Sequence, residues 1–362
     1  MFFPEPRRGI MDISPYVGGE SAIPGVDRVI KLSSNEGALG ASPLAVEAYR
    51  RAAGDLHRYP DGGCARLRQA IAARHDLDPT RIVCGAGSDE LIGLLCHAYA
   101  GSGDEVVYSQ YGFLMYAIYA KSAGATPVTA PETNLTANVD ALLAAVTPRT
   151  RVMFLANPNN PTGTYLPAGE VWRLRRSLPE NVLLVIDAAY AEFVERDDYS
   201  PGVDLVDASS GNTVMTRTFS KIHALGGLRL GWAYCPSVIA DVLNRVRSPF
   251  NVNSAAQEAG AAAIADAPFT EMARAHNNIW LPWLGQALEA LGLEVVPSVC
   301  NFLLVQFPNQ PHSATAADRF LQSRGIIARR VAGYGLPDAL RITIGREDEM
   351  RATVAALAEF LG

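Results

Sequence analysis

The stretch Val182-Leu183-Leu184-Val185-Ile186-Asp187 decides the fold, because a continuous apolar run is typical of a strand buried inside a parallel sheet. Comparable short runs alternate with helical segments over the first two thirds of the chain, which predicts an α/β fold. The predicted strands cover residues 81–84, 105–108, 151–156, 182–187, 213–218 and 229–234. The predicted helices cover residues 88–99, 113–124, 139–146 and 170–177.

The last third of the chain has a different pattern, in which longer helices are mixed with short strands. Predicted helices cover residues 254–266, 269–291 with an interruption at Pro282, 314–323 and a final segment to 361. Predicted strands cover residues 294–296, 302–307 and 340–344. We therefore expect an arm at 1–40 that packs on the small domain or on a partner subunit. A large domain at 41–250 and a smaller α+β domain at 251–362 follow it.

Composition excludes several classes of protein. The chain has 362 residues, of which 49% are hydrophobic, so it is long enough for two cores. The net charge of −6 argues against a nucleic-acid partner. No apolar run reaches the length of a membrane span, and the first fifteen residues do not resemble a signal peptide. Five widely spaced cysteines suggest neither disulfides nor a metal site, so we expect a cytoplasmic protein without a membrane partner.

Lys221 is the first candidate for chemistry, since it follows the apolar strand 213–218 and small hydroxyl residues. Most lysines are surface charges, but a buried lysine near another cation has a lowered pKa and becomes nucleophilic. The hydroxyls of Thr218 and Ser220 can donate to phosphate oxygens. Arg229, which follows a Gly-Gly pair, has the geometry for bidentate phosphate binding.

Two further runs supply partners for an aromatic cofactor. Asp187 ends its strand, where it either caps the next helix or forms an ion pair with a pyridine nitrogen. Tyr190 lies three residues later. Asn160 lies in the run Asn157-Pro158-Asn159-Asn160-Pro161-Thr162-Gly163, whose prolines fix the backbone. A lysine, a carboxylate and an asparagine of this kind predict pyridoxal 5'-phosphate, whose usual partners are a Schiff-base lysine and an acid at the ring nitrogen.

The run Gly85-Ala86-Gly87-Ser88-Asp89-Glu90 is a candidate phosphate cradle, because it follows a strand and opens a helix. Asp89 and Glu90 would compete with phosphate unless they point away. A dinucleotide-binding dehydrogenase is the alternative, but the third glycine of that fingerprint is replaced by Glu90.

Many of these runs together resemble fold-type I pyridoxal-phosphate aminotransferases, and among them the histidinol-phosphate aminotransferases. The resemblance covers nearly the whole chain and implies a large domain with a mainly parallel seven-stranded sheet and a smaller α+β domain. The runs that carry it are residues 12–16, 31–36, 58–62, 85–90, 157–163, 187–190, 218–221, 227–231, 249–253 and 340–345.

The resemblance implies a role for each matched residue. Lys221 would form the covalent link and move a proton, and Asp187 would pair with the ring nitrogen. Asn160 and Tyr190 would bind the phenolic oxygen. The residues expected at the cofactor phosphate are Thr218, Ser220, Arg229, Ser88, the amides of Ala86 and Gly87, and Tyr59 from the other subunit of a homodimer. Phe113 would stack on the ring, with Tyr111 as its rival.

The substrate site is also implied by the resemblance. Arg341 would bind the anionic end of both substrates, histidinol phosphate and glutamate, with 2-oxoglutarate as the acceptor in histidine biosynthesis. Arg329, Tyr16 and Asn35 would complete the site. Two positions depart from the family pattern: the run after Asn35-Glu36 lacks a common proline, and Ala86 replaces a frequent asparagine.

Alternatives remain for the function. An aromatic amino-acid aminotransferase, or an enzyme with both specificities, would use a similar pocket. A decarboxylase for a phosphorylated amino acid is a further rival within the fold. A regulatory protein that lost the reaction is the alternative from another class.

Overall fold

The structure is a computed structural model that describes residues 4–7, 9–26, 28–307 and 311–362. In chain order its strands are β1 (Ile30–Lys31), β2 (Ile82–Gly85), β3 (Glu105–Ser109), β4 (Thr126–Ala130), β5 (Thr150–Ala156), β6 (Leu183–Asp187), β7 (Thr213–Thr218), β8 (Gly231–Tyr234), β9 (Glu294–Val296), β10 (Phe302–Gln306), β11 (Ile326–Ile327), β12 (Arg329–Arg330) and β13 (Ala339–Thr343). Its helices are α1 (Pro43–Ala52), α2 (Ala65–His75), α3 (Ser88–Tyr99), α4 (Met115–Ala123), α5 (Val139–Ala144), α6 (Ala168–Ser177), α7 (Val203–Ala208), α8 (Ser237–Val246), α9 (Ser254–Ala265), α10 (Ala267–Ala290), α11 (Ala314–Ser323) and α12 (Glu347–Leu361).

A seven-stranded sheet forms the centre of the large domain, with strand order β2-β8-β7-β6-β5-β3-β4. Six of its strands run in the same direction, namely β2, β3, β4, β5, β6 and β7, and β8 runs antiparallel to its neighbours β7 and β2. The strands β5, β6 and β7 are buried along almost their whole length, because helices cover both faces of the sheet. The mainly parallel seven-stranded sheet is therefore confirmed.

The C-terminal region contains a four-stranded antiparallel sheet of order β12-β13-β10-β9, covered by α10, α11 and α12. Strand β1 pairs in parallel with β11, which joins the end of the predicted arm to this region. Helix α9, which the sequence assigns to the small domain, instead packs in the core shared by α2 and strands β2, β7 and β8. The domain boundaries stay a prediction, and residues 1–3, 8 and 27 of the arm lie outside the described residues.

Three details of the predicted elements are wrong. Pro282 lies inside the continuous helix α10, because the buried side chains of Trp280, Leu284 and Leu288 hold both halves against one core. Strand β8 begins at Gly231, since Arg229 adopts a left-handed backbone conformation with φ of 54°. Strands β1, β4, β11 and β12 and helices α1, α2, α7 and α8 were not predicted.

No helix within the described ranges combines the length and apolar character needed to cross a lipid bilayer.

Candidate active site

A cavity of about 300 Å³ lies where β5, β6 and β7 end, at the carboxyl edge of the parallel sheet. This edge is where ligands bind in open α/β sheets, because loops leave the core there. Nine of the residues predicted for the cofactor line the cavity, namely Ser88, Phe113, Asn160, Asp187, Tyr190, Thr218, Ser220, Lys221 and Arg229. The sequence therefore identified residues that the fold brings together from across 142 positions of the chain, 88 to 229 inclusive.

Lys221 lies just beyond the end of β7, and its Nζ donates to the backbone oxygen of Ser34 at 3.2 Å. Burial lowers the pKa of Lys221 to about 8, and the positive charge of Arg341 adds to that effect. Its ammonium lies 5.7 Å from the centre of the Tyr190 ring. A large fraction of this amine is therefore neutral, and nucleophilic, near pH 8.

Asp187 ends β6 in a fully buried position. Its carboxylate accepts hydrogen bonds from the Tyr116 hydroxyl at 2.8 Å and from the Thr216 hydroxyl at 3.3 Å. Burial raises the pKa of Asp187, and these two hydrogen bonds oppose the increase by stabilising the ionised form. The ring of Tyr116 stacks on Phe154 at 4.6 Å, which fixes the hydroxyl against the carboxylate.

Asn160 and Tyr190 face the same cavity from two different loops. The side-chain oxygen of Asn160 accepts a hydrogen bond from Nη1 of Arg341, so its amide nitrogen is left as a donor. The Tyr190 hydroxyl accepts a hydrogen bond of 2.8 Å from Nδ2 of Asn35. The side chain of Asn35 is bonded to Tyr190 and Thr343, and its expected contact with substrate stays a prediction.

The phosphate cradle lies between the start of α3 and Arg229. Gly87, the residue before the helix, has φ of 87°. Because glycine has no side chain, the residue at this position does not cap the first amides of the helix. A Cβ at Gly87 would lie 2.6 Å from Nη2 of Arg229, which means that only glycine permits this approach. A guanidinium beside the start of a helix is a donor set that suits a phosphate group.

The other residues of the predicted phosphate cradle differ in whether their polar groups are already hydrogen-bonded within the protein. The Ala86 amide donates to the carboxylate of Glu90 at 2.6 Å, so in this structure it is not a free donor for phosphate. Glu90 also accepts a bond from Asn251, and it is not among the residues that line the cavity. Asp89 lines the cavity, and one of its oxygens accepts a bond from Tyr119 at 2.9 Å.

The structure distinguishes between Phe113 and Tyr111, the two aromatic residues that are candidates for stacking on a cofactor ring. Phe113 lines the cavity, whereas the Tyr111 amide donates to Glu132 and its carbonyl accepts from Asn159 at the loop backbone. Tyr59 lies away from the cavity of its own chain, is 83% exposed, and stacks on Phe250. Within one chain, Phe113 is therefore the residue placed to cover a ring.

Arg341 lies on β13 and is buried beside Lys221 and Asn160. Its Nη2 donates to the Ser33 backbone oxygen at 2.8 Å, while its buried Nε has no hydrogen-bond partner among the described residues. An unpaired donor on a buried guanidinium costs free energy, which an anionic ligand would recover.

Arg329 and Tyr16 border a neighbouring groove of about 760 Å³ instead of the cofactor cavity. Strand pairing places Arg329 directly opposite Arg341, and its guanidinium donates to the Val17 backbone oxygen at 2.8 Å. The Tyr16 ring meets the edge of Phe113 at 6.4 Å. Both residues are therefore adjacent to the predicted substrate position without lining the cavity itself.

Sequence reasoning missed four residues that hold the site together: Tyr116, Thr216, Ser34 and Thr343. A weak signal existed only for Tyr116, which lies one helical turn after Phe113 and so faces the same side of the chain.

The donor set fits pyridoxal phosphate. It contains a buried amine of lowered pKa, a buried carboxylate for a ring nitrogen, amide and phenol groups for an oxygen, and a guanidinium at a helix start for the phosphate. Metal-ligand clusters of three or more residues are absent from the described part of the chain.

Comparison with known proteins agrees with this geometry. The family described as aminotransferase class I and II matches residues 27–357. A histidinol-phosphate aminotransferase of Paramagnetospirillum magneticum is 67% identical over the full length of both chains. Another, from Rhodospirillum rubrum, is 62% identical and covers 99% of this chain and 97% of its own.

A solved structure is also similar. The histidinol-phosphate aminotransferase of Sinorhizobium meliloti, in complex with pyridoxal-5'-phosphate, matches with a TM-score of 0.89 and 30% identity. The match covers 99% of this chain and 98% of that one. The chain therefore belongs to the aminotransferase class I and II family, and within it to the histidinol-phosphate aminotransferases.

Proposed function

We propose that this chain is a pyridoxal-phosphate-dependent aminotransferase that converts L-histidinol phosphate and 2-oxoglutarate to imidazole acetol phosphate and L-glutamate in histidine biosynthesis. The observation that carries the proposal is a cavity lined by Lys221 and Asp187, with the buried Arg341 next to it and bonded to Asn160 of the cavity lining. Full-length similarity to proteins of that name supports the choice of substrate.

The bound cofactor supplies an aldehyde carbon that links to an amine and a ring that withdraws electrons from the substrate Cα. Lys221 would provide the amine that links to the cofactor, and its neutral amine would take and return the Cα proton of the substrate. Asp187 would hold a proton on the ring nitrogen through an ionic hydrogen bond. The free amide nitrogen of Asn160 and the hydroxyl of Tyr190 would bind the phenolic oxygen.

The anionic ends of both substrates are assigned to Arg341. A guanidinium fork binds a carboxylate or a phosphate ester bidentately, so one residue serves histidinol phosphate and glutamate. Its orphaned Nε and its position beside Lys221 support this role. Arg329, opposite it on β12, adds positive charge for the phosphate ester, which carries more charge than a carboxylate.

Comparison of kcat/KM for histidinol phosphate and for phenylalanine tests the substrate assignment against the aromatic aminotransferase alternative. We expect histidinol phosphate to be preferred, and replacement of Arg329 by glutamine to reduce kcat/KM for histidinol phosphate more than for phenylalanine. An Arg330→Gln variant, changed at the neighbouring exposed arginine, is the matched control. A larger kcat/KM for phenylalanine in the unmodified enzyme would overturn the assignment.

The pKa of Lys221 predicts how loading of the apoprotein depends on pH. Because the neutral amine is the reactive form, the rate of covalent cofactor attachment should rise up to about pH 8 and then level off. Stopped-flow absorbance between pH 6 and 10 measures this rate. A lysine of ordinary pKa would give a rate that is still rising at pH 10, and that outcome would contradict the buried environment of Lys221.

A homodimer with shared active sites and a cytoplasmic location are also proposed. The exposed, mutually stacked rings of Tyr59 and Phe250 support a subunit contact through which Tyr59 reaches the partner's cofactor phosphate. All five cysteines are buried and unpaired, which is the usual state in a reducing compartment.

A further inference from the structure

The segment Ser33–Ser34–Asn35 contacts three residues of the active site through three successive groups. The Ser33 carbonyl accepts from Arg341, and the Ser34 carbonyl accepts from Lys221. The Asn35 side chain donates to the Tyr190 hydroxyl. The orientation of the Asn35 side chain in this last contact depends on Thr343, which lies on β13.

Thr343, at the end of β13, fixes which way the Asn35 amide points. The Asn35 backbone amide donates to the Thr343 hydroxyl oxygen at 2.9 Å. The threonine hydroxyl lies 3.1 Å from Oδ1 of Asn35 and donates its proton to that oxygen. Both side chains are almost completely buried, so water does not compete for these bonds. With Oδ1 held by Thr343, the Nδ2 end of the amide must face Tyr190.

This orientation determines what the Tyr190 hydroxyl can do. A phenol has one proton to donate, and the amide of Asn35 is itself a donor, so Tyr190 accepts in that contact. The Tyr190 proton is consequently left for another acceptor on the side of the cavity. The other ionisable groups that face Tyr190 are Arg341, Lys221, Cys300 and Tyr334. When they are charged, Arg341 and Lys221 are hydrogen-bond donors only, so they do not accept the Tyr190 proton.

We propose that Thr343 and Asn35 are positioning residues that form a one-directional hydrogen-bond chain, Thr343 to Asn35 to Tyr190, which commits the Tyr190 proton to the phenolic oxygen of the cofactor. The proposal rests on the proposed function, since it needs that oxygen in the cavity. It also gives β13 a second role, because Thr343 and Arg341 lie two residues apart and both face the site through one strand.

Replacement of Thr343 by valine preserves shape and removes only the hydroxyl. Without its donor, the Asn35 amide can turn, and its oxygen then competes for the Tyr190 proton. A hydrogen bond to the phenolic oxygen favours the anionic form of that oxygen and lowers the pKa of the proton it shares with the lysine-linked nitrogen. The pH midpoint of the visible absorption change of the loaded enzyme should therefore rise, by roughly half to one pH unit, in Thr343→Val.

The experiment is a spectrophotometric pH titration of the loaded wild type and its variants. Thr343→Ser keeps the hydroxyl and should restore the wild-type midpoint. Thr353→Val, which removes another buried threonine hydroxyl bonded only to the backbone of α12, should leave the midpoint unchanged. In a Tyr190→Phe background, Thr343→Val should cause no further shift of the midpoint, because the hydroxyl that accepts the hydrogen bond from Asn35 is absent.

Two outcomes would overturn the proposal: an unchanged midpoint in Thr343→Val, or a shift of equal size in the Tyr190→Phe background. If Thr343→Val does not fold, Thr343→Ala serves instead, since it also removes the hydroxyl that donates to Oδ1 of Asn35 and should raise the midpoint similarly. A wild-type protein without a pH-dependent visible band would refute the proposed function itself, before any variant is compared.

Discussion

Replacement of Lys221 by alanine is expected to lower the rate of transamination by about 10⁴-fold or more. Lys221 is the buried amine of lowered pKa, and no other lysine reaches the cavity, since the chain contains only Lys31, Lys121 and Lys221. Its loss removes both the covalent attachment point and the base that takes the Cα proton. Single-turnover kinetics with histidinol phosphate measure the effect without interference from product release.

Lys121→Ala is the matched control for this variant. Lys121 is partly exposed on α4 and donates to the Asp12 backbone oxygen outside the cofactor cavity, so its loss should leave the rate within a few-fold of wild type. Retention of near-normal single-turnover rates in Lys221→Ala would contradict the assigned role of Lys221.

Replacement of Asp187 by asparagine is expected to lower kcat by roughly 10²- to 10³-fold, the usual cost of losing one preorganised electrostatic partner. Asparagine keeps the size of the side chain but has no negative charge, so it cannot hold a proton on the ring nitrogen. The ring then withdraws electrons less strongly as the substrate Cα loses its proton. Steady-state kinetics with histidinol phosphate measure the decrease.

The stability of the apoprotein should respond to the loss of the Asp187 charge in the opposite direction from its activity. Because burial raises the pKa of this carboxyl in the folded state, the folded protein binds more protons than the unfolded chain above the ordinary value of 3.8. The ionised carboxylate therefore costs stability at neutral pH. Apo Asp187→Asn should unfold at the same temperature as wild type or higher, although its activity is low.

Asp207→Asn provides the comparison, since Asp207 is a half-exposed partner of Arg81 away from the cavity and should change neither kcat nor cofactor affinity. A destabilised Asp187→Asn apoprotein with kcat near the wild-type value would contradict the account of Asp187 on both counts.

The fold could be predicted where burial dominates the pattern of residues. The strands 183–187 and 213–218 are buried on both faces, and apart from the functional Asp187 and the ion-paired Arg217 they contain only apolar residues and threonine. Strand β4 was missed because it lies at the edge of the sheet, is partly exposed and contains Pro127. Helix α2 was missed because Leu67 and Ile71 are its only large apolar residues, and they lie among alanines and arginines that do not form a clear apolar stripe.

The site could be predicted where chemistry is confined to short motifs. Asp187 ends a strand, and Asn160 and Lys221 each follow one, all in recognisable runs, and the fold places all three at one cavity. Their supporting contacts are separated by long stretches of chain: 71 positions from Tyr116 to Asp187, and 308 from Asn35 to Thr343. Such pairs are set by tertiary packing, which no local pattern of residues encodes.

The central claim is that Lys221 carries the cofactor. Reduction of the loaded enzyme with borohydride, followed by peptide mapping by mass spectrometry, tests it directly because only three lysines compete. We expect the reduced pyridoxyl group on the peptide that contains Lys221, in a stoichiometry near one per chain. Labelling of Lys31 or Lys121 instead, or no labelling at all, would contradict the account.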